Sequence, residues 1–246
     1  MSANGVAVLA RFVMPSAMEL IIEEANRLAP LGHFSETFSS PYLSTPDPAL
    51  PAGDPRSRSQ RAALSAVAFD EFAPESLLVR LYESRVLREF LASVLGVDQL
   101  HSYADPLGAM SLAVMVDGDE LGWHFDFSEF VVSLGIQSPT DGGTFDVVPR
   151  LRSADDPNHA AVIEVLDGDL DRVVTLPLEP GTLMIFAGRN SMHSVSPIHG
   201  EVERLVALLS YDTRPGTDST DELKMVRYGR TSVRTADGGA LDDGGT

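Results

Sequence analysis

The sequence predicts a mainly β fold, an antiparallel sandwich or barrel with flanking α-helices, and three observations carry that prediction. Between residues 112 and 211, short apolar stretches (LAVMV at 112–116, FVVSLGI at 130–136, FDVV at 145–148, VVTLPL at 173–178, TLMIF at 182–186, RLVALLSY at 204–211) alternate with breaks rich in Gly, Pro and Asp. Ahead of them, two stretches carry apolar residues at helical spacing. The 246 residues show no internal repeat and suffice for one large core, so a single domain over 1–246 is expected.

Taken in order, residues 1–99 form a helical N-terminal part. Ser16–Ala29 places Met18, Ile21, Ile22, Ala25 and Leu28 on one helical face, with Ser16 as N-cap and Glu19 completing a capping box. Residues 37–60 turn to Ser, Pro, Asp and Gly without period, too long for an ordinary connection; the segment is either disordered or a lid. Residues 75–95 return to helical spacing, broken near Glu83, with Gly96 where a helix end favours a left-handed residue. The strands then build a core over 100–215. Beyond Pro215 the C-terminal segment 216–246 loses the pattern, and its last ten residues, DGGALDDGGT, are expected to be mobile.

Composition excludes several classes of function. Lys and Arg number 18 against 36 Asp and Glu, a net charge of −18, which gives no basic footprint for nucleic acid. Without cysteine there are no disulfides, thiolate metal sites, iron–sulfur clusters or Cys nucleophiles. No apolar run reaches membrane-span length, and Val6–Ala10 lacks the basic residues that precede a signal peptide, so a soluble cytoplasmic protein is expected. If it self-associates, a homodimer is the commonest arrangement.

The chemistry gathers around Gly122-Trp123-His124-Phe125-Asp126. In a strand, residues i and i+2 share a face, so His124 and Asp126 can reach one ion while Trp123 turns to core packing behind them. His193, after TLMIF, can arrive from a neighbouring strand, giving two imidazoles and a carboxylate, a facial triad suited to non-haem Fe(II). An isolated H-x-D equally describes a solvated His or a salt-bridged Asp at a strand end. Arg204 shares a strand face with Val206, Leu208 and Ser210. A buried guanidinium needs an anion, and a ligand carboxylate satisfies it bidentately; the alternative is a surface pair with Glu201 or Glu203. His33, His101, His159 and His199 have no paired spacing and read as surface or core residues.

The ordered set of H-x-D, Gly142-Gly143, Pro180-Gly181, His193 and Arg204 resembles the iron(II)/2-oxoglutarate-dependent oxygenases. More narrowly, ADPLGA (104–109), GDELGWHFD (118–126), FVVSLGIQ (130–137), PGTLMIFAGRNSMH (180–193) and RLVALLSYDTRPG (204–216) look like a small bacterial branch acting on free amino acids. That branch holds hydroxylases and radical halogenases, lysine halogenases among them, and DPRSR (54–58) and YGR (228–230) extend the resemblance.

The resemblance implies a double-stranded β-helix, a jelly roll or cupin-like barrel, holding Fe(II) on His124, Asp126 and His193 and using 2-oxoglutarate and O2. Arg204 takes the distal carboxylate of 2-oxoglutarate, and Ser210 is a candidate second donor to it, or an ordinary strand serine. The halogenases put Gly or Ala at the triad carboxylate, so Asp126 implies hydroxylation of a C–H bond in a free amino acid or a derivative, with release of succinate and CO2. Desaturation, cyclisation and a metal-binding cupin-like isomerase or sensor are the alternatives. Arg56, Glu120 and Arg230 are candidate substrate contacts, each of which also reads as a surface charge, and apolar Leu121 and Phe127 argue against lysine as substrate.

Overall fold

Strands dominate residues 5–234, the part of the chain that the computed structural model describes. The Gly- and Asp-rich end, read as mobile, lies outside the described residues. In chain order come β1 (Val6–Leu9), α1 (Pro15–Leu28), β2 (His33–Ser39), β3 (Gln60–Val67), α2 (Leu77–Tyr82), α3 (Arg85–Leu95), β4 (His101–Ser102), β5 (Met110–Met115) and β6 (Leu121–His124). They are followed by β7 (Val131–Gln137), β8 (Asp141–Gly142), β9 (Phe145–Val148), α4 (His159–Leu166), β10 (Val174–Leu176), β11 (Leu183–Phe186) and β12 (Met192–Val195). The chain continues through β13 (Ile198–His199), β14 (Arg204–Leu209), β15 (Tyr211–Asp212) and α5 (Asp221–Tyr228).

Eleven strands join in one antiparallel sheet, β1-β11-β7-β14-β5-β3-β6-β12-β9-β10, with β2 alongside β3. β3 pairs with β5 through Ser65–Val67 and with β6 through Ala62, so the sheet folds over at β3 into two facing layers. This is the double-stranded β-helix, or jelly roll. Period 2 sorts the side chains of each strand. Met115, Phe145, Val147, Met184, Phe186 and Val195 pack between the layers. The opposite set on the larger layer, including Leu112, Val114, Leu134, Leu205 and Ala207, is covered by α1, α2 and α3 through Ile21, Ala25, Leu78 and Leu91. Each large aliphatic side chain so buried is worth roughly 1.5–3 kcal/mol, which is why the helices hold to the outside of the barrel. α4 covers the smaller layer, packing Val162 and Val165 on Phe125, Val148 and Met192.

Several local expectations change. α1 begins at Pro15, whose fixed φ suits the first helical position; Ser16 lies inside the helix and the N-cap, Met14, makes no side-chain cap bond. The helical region at 75–95 is two helices, with Ser76 and Ser84 capping them and Glu83 at the break. Residues 1–99 are not helical throughout, because β1, β2 and β3 belong to the main sheet. The segment read as a loop over 37–60 is bounded by strands, and only 40–59 connects them. No helix among the described residues is long and apolar enough to cross a membrane.

Candidate metal centre

β6 and β12 place His124 directly opposite His193, with ring centroids 4.2 Å apart. Both rings are oriented by the backbone. His124 Nδ1 lies 2.7 Å from Gly122 O and His193 Nδ1 3.0 Å from Ser191 O. A carbonyl only accepts, so each Nδ1 carries the hydrogen and each Nε2 is left as the ligating atom. The two Nε2 atoms face the Asp126 carboxylate, at 4.0 Å for His124 and 3.2 Å for His193. One donor atom from each of the three lies within 4.8 Å of the others. Two imidazoles and one carboxylate converging from one side are a fitting donor set for a divalent first-row ion with open positions.

The surroundings fix this geometry. Phe186 and Phe145 pack on the His193 ring at 4.8 and 5.6 Å. The Asp126 N–H donates to Gly188 O at 3.1 Å, and a Cβ at Gly188 would stand 2.7 Å from Asp126 Oδ2, so the close approach requires glycine. Phe125 points away, its N–H donating to Pro41 O at 2.8 Å and its ring stacked on Tyr42 at 5.6 Å, with the Arg152 guanidinium 4.0 Å over it. Thus the 40–59 connection is bound to the strand that carries the ligands, and Arg58 ties it to Asp167 at the end of α4 at 2.7 Å. Trp123 joins the cluster under α4, as alternation predicts.

Burial, followed by the neighbouring His193, pushes the His124 pKa down to about 4, leaving that imidazole neutral. At Asp126 burial opposes charge, but His193 outweighs it and holds the carboxyl well below the usual range. Burial also opposes charge at His193, and there the Asp126 carboxylate prevails and raises the pKa. A cation binding between them takes the place of that proton.

Arg204, the first residue of β14, is buried between the layers. Its Nε donates to Gly143 O at 3.1 Å, and Nη1 lies 3.9 Å from Met115 Sδ. Gly143, at φ 64°, passes so close that a Cβ would stand 3.0 Å from Arg204 Cδ. Among the described residues no carboxylate lies within ion-pair distance of this guanidinium, and burial alone lowers its pKa to about 10. The surface pairing with Glu201 or Glu203 does not form.

Four expected site residues are placed otherwise. Ser210 lies six residues along the chain from Arg204, roughly 20 Å at strand rise, so both cannot hold one carboxylate. Its peptide pairs with Ala109, Tyr103 and Tyr82 instead. Arg56 is engaged by Asp54 two residues before it, Nη2 to Oδ2 at 2.6 Å. Glu120 accepts from Arg61 Nη1 at 3.3 Å at the start of β6. Arg230 donates to both oxygens of Asp70, at 2.8 and 2.6 Å, pinning the C-terminal segment to residues 69–71. Gly188 and Arg227 were not foreseen. The charge of Arg227, on α5, lowers the pKa of both His124 and Asp126 as the smallest of their influences, an effect between distant segments for which the sequence holds no signal.

Comparison with known proteins agrees with this arrangement. The family model described as HalD, Halogenase D, matches residues 53–225. Among solved structures, AviO1 from Streptomyces viridochromogenes Tue57 is similar at 16% identity and TM-score 0.58, over 88% of this chain and 92% of that one. A 2OG-Fe(II) oxygenase family oxidoreductase from Burkholderia pseudomallei is similar at 14% identity and TM-score 0.53, over 87% and 88%. EctD from S. alaskensis, solved with 2-oxoglutarate and 5-hydroxyectoine, is similar at 18% identity and TM-score 0.54, over 85% and 72%. No curated protein matches the sequence. At these identities the structural likeness establishes the shared jelly-roll fold.

Proposed function

Because the chain belongs to the Halogenase D family, we propose that it is an iron(II)- and 2-oxoglutarate-dependent oxygenase that hydroxylates a C–H bond of a free amino acid or a small derivative. The observation that carries this reading is the pairing of an intact His124-Asp126-His193 donor set with Arg204, a buried guanidinium that has no carboxylate partner among the described residues. An uncompensated buried charge costs several kcal/mol, and a ligand carboxylate removes that cost.

Bound Fe(II), with 2-oxoglutarate and O2, supplies the oxidation: the 2-oxo acid is split to succinate and CO2 and one oxygen atom goes to the substrate carbon. The protein's own residues make this productive. His124 and His193 present Nε2 because Gly122 O and Ser191 O hold Nδ1–H. Asp126 contributes the negative ligand and is held in register by Gly188 O. Arg204, fixed by Gly143 O, orients the co-substrate through its distal carboxylate. Met115, Phe145, Met184 and Phe186 line the inner cluster and keep water from the space between the layers.

The family's name raises halogenation as a second reading. Asp126 favours hydroxylation: its Oδ2 lies 3.2 Å from His193 Nε2, so with iron bound the carboxylate would serve as a ligand where a chloride would need an open position. The test is a screen of amino acids for succinate release under O2 in chloride buffer, with mass analysis of the product. Gain of one oxygen atom supports the proposal, and a chlorinated product overturns the preference for hydroxylation.

A further inference from the structure

The carboxylate ligand stands where its strand has already ended. β6 stops at His124, which pairs with His193 in the ladder, and residues 125–130 cross to β7 without strand pairing. Asp126 itself makes one backbone hydrogen bond, from its N–H to Gly188 O at 3.1 Å. The residues on either side of it, Phe125 and Phe127, must be fixed by other means if the carboxylate is to stay 3.2 Å from His193 Nε2.

Two arginines do this. Before Asp126, the Arg152 guanidinium lies 4.0 Å over the centre of the Phe125 ring and 5.2 Å from that of Tyr42, which is stacked on Phe125 at an interplanar angle of 7°. Arg152 is anchored in turn by Nε donating to Arg189 O at 2.7 Å and by its N–H donating to Asn190 O at 3.2 Å. After Asp126, Arg189 reaches back, and its Nε and Nη2 both donate to Phe127 O, at 3.0 and 2.7 Å. The contacts close a circuit around Asp126 from Phe125 through Arg152 and Arg189 to Phe127. It is built on the same segment whose Gly188 O holds the Asp126 N–H and whose Ser191 O orients His193.

Neither arginine is placed to balance charge. Among the described residues no carboxylate lies within ion-pair distance of Arg152. Arg189 has Glu129 at 3.4 Å, with both side chains exposed, a pairing worth little. In a chain with 36 acidic side chains against 18 basic, two guanidinium groups spent on a ring face and a carbonyl answer a demand for shape, a flat fork that stacks and donates together.

We propose that Arg152 and Arg189 are positioning residues of the metal centre, a bracket that sets the Asp126 carboxylate in register with the two imidazoles. The proposal rests on the oxygenase reading in taking Fe(II) as the ion held there.

The experiment measures Fe(II) affinity by anaerobic titration of metal-free protein for the wild type, Arg152→Met, Arg152→Lys and Arg189→Met, and again with Asp126→Ala added to each. With Asp126 present, all three substitutions are expected to weaken Fe(II) binding by about tenfold or more, the effect of losing an outer support of a metal ligand. Arg152→Lys keeps the charge but neither the flat stack nor the Nε–H, so it should fall with Arg152→Met. In the Asp126→Ala background the same substitutions should change the affinity by less than about twofold, because a bracket acting through Asp126 has nothing left to position. An equal loss in both backgrounds overturns the proposal and assigns the arginines to the fold at large; full binding in Arg152→Lys overturns it in favour of charge alone. Should Arg152→Met fail to fold, Arg189→Met, with its side chain half exposed, carries the same comparison. A wild type that binds Fe(II) no better than its variants overturns the bracket alone, whereas a wild type that binds no Fe(II) overturns the oxygenase reading itself.

Discussion

A methyl group at residue 188 is enough to test how tightly the metal centre is specified. Gly188→Ala sets a Cβ 2.7 Å from Asp126 Oδ2 and 2.8 Å from Val131 Cγ2, so the carboxylate must turn out of register with the imidazoles. Fe(II) affinity is expected to fall about tenfold or more, as for other displaced supports of metal ligands, with the circular dichroism spectrum retained; unchanged affinity in a titration would show that Asp126 has slack. At this scale the triad was legible because H-x-D keeps its two ligands two residues apart, here with His124 ending β6 and Asp126 just beyond it, and because His193 follows an apolar strand. Arg56 and Arg230, read as substrate contacts or surface charges, each hold a carboxylate of the chain itself, Asp54 and Asp70, as expected where acids outnumber bases. Arg204 is the informative exception, since burial at a strand start left it without one.

Among the elements, α5 is anchored by a buried ion pair that can be tested alone. Asp105 is fully buried, with Oδ2 lacking a hydrogen-bond partner, and Lys224 is the cation that faces it. Lys224→Met leaves that charge uncompensated, a loss of about 3–5 kcal/mol, so the thermal midpoint should drop by on the order of 10 °C. A drop within a degree in a melting experiment would mean that α5 docks by its apolar contacts alone. Elements were legible where one face is buried, as in β5, β7 and β14. β2 was missed because it pairs only with β3 and leaves Phe34 and Phe38 exposed, so no apolar alternation marks it. β3 was missed because QRAALSAV is rich in Ala, which favours helix.

For the whole molecule, the net charge of −18 opposes the approach of a doubly negative co-substrate. Raising ionic strength from about 0.01 to 0.15 M shortens the screening length from about 30 to 8 Å, so the KM for 2-oxoglutarate is expected to fall with salt; a steady rise would mean that the attraction of Arg204 dominates the field even at long range. The jelly roll as a class was readable from short strands at regular spacing, whereas its closure was not. β3 joins the two layers through pairings with β5 and β6, contacts about fifty to sixty residues away in sequence that leave no local pattern.

The proposed oxygenase site holds iron on His124, Asp126 and His193 and 2-oxoglutarate on Arg204. It is tested most directly by adding Fe(II) and then 2-oxoglutarate anaerobically to metal-free protein and recording the visible metal-to-ligand charge-transfer band. A band is expected in the wild type and none in His124→Ala. In Arg204→Ala the band should appear only at about thirtyfold or more higher 2-oxoglutarate, the loss of one buried charge pair. A wild-type protein that binds another divalent ion tightly yet gives no band, or an Arg204→Ala variant with unaltered 2-oxoglutarate affinity, would contradict it.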